Sequence, residues 1–288
     1  MMKNIALRLL FILSIFLFVG ALVYAGTPSP SNTMLVEAAL LIFGIQLIVF
    51  IPSYLAQTEH FYDLTGGITY LSVMSFMAYR HQEIFGDWDV RSLVLTALIG
   101  LWAIRLSSFL FTRVKRVGKD GRFDELKTSF TRFLLTWMLQ GLWVFMCTYP
   151  ALIALASPSE SEIVYLTIGT LLWLIGWGYE VVADYQKTRF NSDPNNAGKF
   201  INMGVWKQSR HPNYVGEWVL WTGITIIALP VYESGQWMAL ITPVFVYWLL
   251  NKVSGVNLLE ARADQKWADD PAYQHYKKET PVFFPKLF

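Results

Sequence analysis

Hydrophobic positions in this chain neither alternate nor recur on one helical face. They run on for roughly the thickness of a bilayer and then stop at short polar clusters. A helix needs about 20 largely apolar residues to cross the hydrocarbon core. Stretches near that length occupy residues 5–24, 34–55, 91–112, 133–156, 162–183, 214–230 and 237–251. An eighth stretch, 64–79, is shorter and fits a tilted or re-entrant helix as well as a span. The pattern predicts an all-α fold, a polytopic transmembrane helical bundle of seven or eight spans. No soluble domain, obvious repeat or low-complexity segment interrupts it.

Composition agrees. Of the 288 residues, 54% are hydrophobic and 15% charged, against roughly a quarter charged in soluble proteins. Twelve Trp and fourteen Tyr suit interfacial belts.

Charge placement orients the bundle. With eight spans and an inward N-terminus, the cytoplasmic segments are the N-terminal tip, 56–63, 113–132, 184–213 and 252–288, and these hold 20 of the 23 Lys and Arg when Arg8, at the start of the first run, is counted with the tip. The opposite connections, such as GTPSPSNT and SPSES, carry no basic residue, as the positive-inside rule requires. A basic face of this kind suits topology, anionic lipid or a phosphorylated ligand, and argues against a nucleic-acid partner. The long polar connections share that side, so a cofactor pocket is expected at the cytoplasmic end, with the C-terminus also cytoplasmic.

Two local features bound the reading. Lys3 and Arg8, an apolar run and Val23-Tyr24-Ala25 imitate a cleavable signal peptide. The run is long for one, which favours a retained first span; cleavage would leave seven spans. Cys147 is the single cysteine, which excludes an internal disulfide and a Cys-based metal site.

The densest candidate chemistry lies between 180 and 217, where Glu180, Asp184, Lys187, Arg189, Arg210, His211, Asn213, Tyr214 and Glu217 crowd the ends of two apolar runs. Ionisable groups at span edges are costly unless paired or bound, so they point to a functional site. Pro212 suits a helix start, and the dipole and free amides of that start favour an anion beside Arg210 and His211. Interfacial anchoring explains one or two of these residues but not their number.

Three further clusters follow. Residues 56–67 bring Gln57, Glu59, His60, Tyr62 and Asp63 to a span boundary, where burial would raise Glu59 and suit it to general acid work. Metal binding is disfavoured there, because the chain offers only His60, His81, His211 and His275, two of which lack acidic neighbours at ligand spacing, and His81 is expected on the opposite side of the membrane. Arg105 sits inside an apolar run and needs a partner, either a structural ion pair with Glu59 or Asp63 or a polar cavity. In the loop 113–132, a turn at Gly118–Arg122 presents Arg122 beside Arg113 and Arg116, a set of guanidiniums suited to phosphate oxygens. Lys115, Lys127 and Arg132 read as a solvated basic loop. After the last span, an amphipathic helix is expected to run until Pro281 and Pro285, with Phe283, Phe284 and Phe288 folding back on the bundle or the interface.

GWGYEVVADYQKTRF, GVWKQSRHPNYVGEW and PAYQHYKKETPVFFP together resemble the steroid 5α-reductase C-terminal domain family, in particular its bacterial DUF1295-type branch. FYDLTG and LWAIRLSSFLFTRVKRVGKDGRF extend the resemblance upstream, so 56–288 reads as the family's membrane domain and 1–55 as N-terminal spans. The resemblance implies about seven helices in a bacterial inner membrane. It further implies NADPH bound from the cytoplasm and reduction of an activated C=C bond in a lipophilic substrate drawn from the bilayer lipid. By motif, Asp184, Asn213 and Glu217 correspond to cofactor positions, as do the segment with Arg105, Arg113, Arg116 and Arg122 and the C-terminal part with Arg262, Lys266 and Tyr276. Arg210, His211 and Tyr214 flank the same pocket. Gln57 and Glu59 correspond to a pair that holds a substrate carbonyl, although here they are separated by Thr58.

One departure matters. The family's characterised steroid reductases carry a Tyr proton donor three residues before the buried Arg, where this chain has Trp102. An indole N–H donates a hydrogen bond but not a proton, leaving Tyr62 or Glu59 for that role and weakening a 4-ene-3-ketosteroid substrate. The isoprenylcysteine carboxyl methyltransferases share an RHPxYxG run, so S-adenosylmethionine is the alternative cofactor; they often carry adjacent acids where this chain has only Glu260. The basic loop fits NADPH better. A non-enzymatic lipid-binding protein would bind neither cofactor.

Overall fold

The computed structural model describes residues 2–86, 88–118, 121–158, 162–253 and 255–286, with the side chains of 2, 3, 116, 117 and 122 outside that description. Among the described residues there is no strand. Helices α1 (Met2–Gly26), α2 (Met34–Leu55), α3 (Tyr62–Phe85), α4 (Val90–Val117), α5 (Phe130–Ala156) and α6 (Ile163–Ser192) follow one another. Then come α7 (Pro212–Ala228), α8 (Ile241–Trp248), α9 (Val256–Trp267) and α10 (Pro271–Glu279). Seven segments of the described residues are long and apolar enough to cross a membrane, and the protein is an integral membrane protein.

Two expectations change. Residues 64–79 are the middle of a 24-residue helix, α3, whose Thr65, Thr69 and His81 are buried against protein; its weak apolar signal reflects that inward polar face. The last stretch, 237–251, is broken: a 3-10 segment (Ser234–Leu240) leads into the eight residues of α8, and a π turn (Leu249–Val253) follows. The amphipathic segment beyond is also divided, because Asp270 accepts from the amides of Ala272 (2.8 Å) and Tyr273 (3.4 Å) and starts α10 at Pro271.

The chain forms two compact units, Met1–Ile163 with Ala228–Leu240, and Val164–Ile227 with Ile241–Phe288. In the first, α5 is buried along its whole second half, from Val144 to Ala156, and packs against α1, α2, α3 and α4. Side-chain hydrogen bonds tie this apolar unit where water cannot. Gln46 donates to Thr69 Oγ1 at 2.9 Å, and the Tyr149 hydroxyl donates to Leu22 O at 2.6 Å.

A buried ionic cluster closes the other end of α3. His81 meets the Asp89 carboxylate through Nε2 at 2.8 Å and Leu155 O through Nδ1 at 2.8 Å, so both nitrogens face acceptors. Asp89 caps α4, accepting from the Ser92 amide at 3.0 Å and from the Ser92 hydroxyl. Arg91 donates to Ala154 O (3.0 Å) and Pro158 O (3.1 Å). Burial alone would raise the Asp89 carboxyl, but hydrogen bonds from His81 and Ser92 and the Arg91 charge hold it well below the usual carboxylate range. Sequence spacing hid the pairing because Asp89 reaches His81 across the turn at Gly86 (φ 75). Ser92→Ala removes one of these bonds and is expected to cost about 1 kcal/mol. A melting temperature in detergent equal to that of the parent protein would disprove that.

In the second unit, glycines set the approach of α6 and α7. A Cβ on Gly176 would lie 2.6 Å from Gly216 O, and one on Gly216 would lie 2.5 Å from Gly176 O. Gly169 and Gly223 repeat the arrangement at 2.6 and 2.5 Å. Small residues let membrane helices approach until backbones touch, with Cα–H groups directed at carbonyls. The crossing is antiparallel, with the paired glycines two helical turns apart on each helix.

Candidate functional site

The predicted site residues divide between the two units. In the first, Glu59 precedes α3 and is 4% exposed, and Lys127 reaches it at 2.6 Å. Lys127 is therefore an ionic partner of the candidate acid and not simply a solvated loop cation. The Tyr62 hydroxyl donates to Thr136 O at 3.0 Å, while Gln140 Nε2 donates to Tyr62 O at 3.0 Å. Gln57 is exposed, adopts a left-handed φ of 51 and donates to Tyr54 O at 2.7 Å. It lies at the surface and Glu59 is buried, so the two side chains are not equivalent. His60 contacts Thr58 Oγ1 at 3.1 Å and Gly118 O at 2.9 Å, tying the start of α3 to the end of α4.

Trp102 is buried on α4 and meets the Tyr70 ring edge-on at 5.2 Å. Arg105, half-buried, lies 5.5 Å from the centroid of Phe109. Arg113 is exposed. The side chains of Arg116 and Arg122 lie outside the described residues.

The second unit assembles its polar set more tightly. The connection after α6 is held to that helix: Trp206 Nε1 donates to Ala183 O (3.1 Å), Gln186 Oε1 accepts from the Val205 amide (3.0 Å), and Lys187 lies over the Trp206 ring at 4.6 Å. Asp184 is half-buried beside these anchors, and Glu180 is 3% exposed, next to Gly216. Asn213, Tyr214 and Glu217 occupy the first turns of α7, with Glu217 9% exposed.

Glu260 on α9 completes this corner, and neither its spacing nor its single charge singled it out for the purpose. Its two oxygens meet Arg210 Nη1 at 2.6 Å and His211 Nε2 at 2.9 Å. Burial lowers the His211 pKa from its ordinary value, Lys187 and Arg210 lower it further, and Glu260 acts against them; the net direction is down. The His211 and Tyr214 rings stack at 5.8 Å.

The amides of Arg210, His211, Tyr214 and Val215, at and before the start of α7, are in use. His211 O accepts from the Tyr214 and Val215 amides at 3.1 and 3.2 Å. The Arg210 amide donates to Pro281 O at 3.0 Å, and the His211 amide donates to Ser209 Oγ at 3.2 Å. Pro212 has no N–H to offer.

The C-terminal segments fix this corner from behind. The Tyr276 hydroxyl donates to Trp206 O at 2.6 Å, and burial raises that phenol above its ordinary range. Lys277 bridges to Asp264 at 2.6 Å, and the Tyr273 hydroxyl donates to the same carboxylate at 3.0 Å. The Lys286 amide donates to Gln208 O at 2.9 Å, while Phe283 and Phe284 pack on Trp218 and Tyr247. Arg262 and Lys266 are exposed, with Lys266 over the Trp267 ring at 4.6 Å.

The model of a family described as "Protein of unknown function (DUF1295)" matches residues 49–280. No curated protein matches the chain.

Proposed function

The chain belongs to the DUF1295 family, and from that premise we propose that it is an integral membrane reductase. It would use NADPH to reduce a conjugated C=C bond in a lipophilic, steroid-, isoprenoid- or lipid-like substrate. The supporting observation is the corner of the second unit: Arg210, His211 and Glu260 are held in fixed geometry by contacts that neither membrane insertion nor helix packing demands. Rigid, preorganised polar groups of this kind suit ligand binding.

In this reading, Asp184, Arg210, His211, Asn213, Tyr214, Glu217 and Tyr276 of the second unit position the cofactor, and Arg262 and Lys266 of the same unit add basic contacts for its phosphates. Bound NADPH supplies hydride. Gln57 lies at the surface, so Tyr62 or Trp102 polarises the acceptor beside the Glu59–Lys127 pair, in which the ammonium paired with the Glu59 carboxylate holds the exchangeable proton. The pocket faces the cytoplasm, as the basic loops suggest.

S-adenosylmethionine-dependent methyl transfer is the second reading, and Glu260 favours it. A carboxylate paired with Arg210 reduces the positive charge of this corner, which suits a cationic cofactor better than a phosphorylated one.

Equilibrium binding of NADPH, NADH and S-adenosylmethionine to detergent-purified protein separates the readings. NADPH is expected to bind saturably. Asn213→Ala or Glu217→Ala should weaken it about tenfold, as expected for one lost polar contact, and Glu59→Gln should leave it unchanged. Binding of S-adenosylmethionine alone would replace the reductase reading with the transferase.

A further inference from the structure

His211 and Glu260 make a more specific statement about the ligand than the density of charge around them. A carboxylate only accepts hydrogen bonds, so the 2.9 Å contact to Glu260 puts a proton on His211 Nε2. In the neutral ring the lone pair is then on Nδ1, to which no hydrogen bond is made among the described residues. Arg210 has its charge matched by the same carboxylate. The amides of residues 210, 211, 214 and 215 are all taken by protein acceptors. A phosphate placed here would meet a lone pair and a carboxylate, with most of the usual amide donors already engaged.

We propose that the His211–Glu260 pair is a hydrogen-bond-accepting subsite that takes a hydroxyl or amino group of a bound adenosine moiety and excludes phosphate. The assignment rests on the reading of the second unit as a cofactor site, and adenosine is common to NADPH and S-adenosylmethionine. Glu260 is a positioning residue, because it fixes which nitrogen carries the proton. The Tyr214 ring stacked on His211 fixes the plane of the imidazole.

The charges facing the ring agree with a neutral imidazole. Lys187 from α6 and Arg210 beside it disfavour protonation, Glu260 from α9 favours it, and burial, the largest influence, disfavours it. The sign for binding follows. An accepting nitrogen works only unprotonated, so affinity for adenosine is held above the ordinary histidine value of 6.5 and lost as pH falls through the lower value in the folded protein. A phosphate subsite would behave oppositely, tightening as the ring gained charge.

The test is protection of His211 from diethyl pyrocarbonate, which modifies unprotonated imidazole nitrogens. It uses the detergent-solubilised full chain, with modified peptides located by mass spectrometry. Adenosine is expected to protect His211 and inorganic pyrophosphate is not, with protection fading on acidification. Purine riboside, 2′-deoxyadenosine and 3′-deoxyadenosine then identify the donor, as the analogue lacking it should bind about tenfold more weakly. Glu260→Gln should free Arg210 and allow pyrophosphate to protect. Pyrophosphate protection in the parent protein, or adenosine binding that tightens on acidification, would overturn the proposal. NADPH binding with His211 unprotected would overturn it while leaving the reductase reading intact. Adenosine protection without NADPH binding would support the subsite and remove the reductase.

Discussion

Gly216→Leu is expected to yield protein that does not survive extraction into mild detergent as a folded species. The new side chain would start 2.5 Å from the Gly176 carbonyl and 2.6 Å from the Glu180 amide. Both are helix backbone and cannot rotate aside, so α6 and α7 would have to separate. Overpacking typically costs about 1–3 kcal/mol when side chains can yield; here the upper end or more is expected. Gly176→Leu should behave alike, because the clash is reciprocal. Gly178 is the control, being on the same helix with open space for 4 Å around the position a Cβ would take. Gly178→Ala should be neutral or stabilise by about 0.5–1 kcal/mol through reduced backbone freedom. Size-exclusion profiles and thermal melts of the three variants test this. A folded Gly216→Leu protein would show that the crossing is looser than described.

Lys127→Ala is the second large effect. It takes from Glu59, whose side chain is 2% exposed, the ammonium at 2.6 Å. Removing one partner of a buried ion pair costs about 3–5 kcal/mol. Lys127 keeps 20% exposure, so the lower end applies, about 3 kcal/mol. Glu59→Gln in the same chain removes the buried carboxylate charge that Lys127 offset and should restore most of the stability. The double-mutant cycle isolates the pair; a double variant no more stable than Lys127→Ala would assign the loss to packing of the lysine stem.

The fold was largely readable because lipid enforces a simple rule: an apolar run of sufficient length becomes a helix. Reading stopped where protein replaces lipid. Thr65, Thr69 and His81 lower the apolar signal of α3 because they bond inside the unit, and the final stretch satisfies its backbone through 3-10 and π geometry instead of one continuous helix. The site was readable as a concentration of charge, since Arg210, His211 and Glu217 stand out wherever they are found. Their partners were not. Glu260 is 49 residues from His211, and Lys127 is 68 from Glu59. Pairing at such separations is decided by the tertiary arrangement and leaves no local periodicity. The same partners place a carboxylate against Arg210 and His211, so the polarity of a cluster cannot be summed from its own segment.

The tail over residues 208–210 also imposes an order in time. Gln208 and Arg210 are synthesised well before Pro281 and Lys286, whose backbone groups they bind. During translation the corner around His211 therefore waits, with both apolar helices beside it already made, until residues 281–286 leave the ribosome. Fast insertion followed by late completion means that a chain interrupted after residue 280 would sit in the membrane with its helices in place and the corner around His211 unfinished.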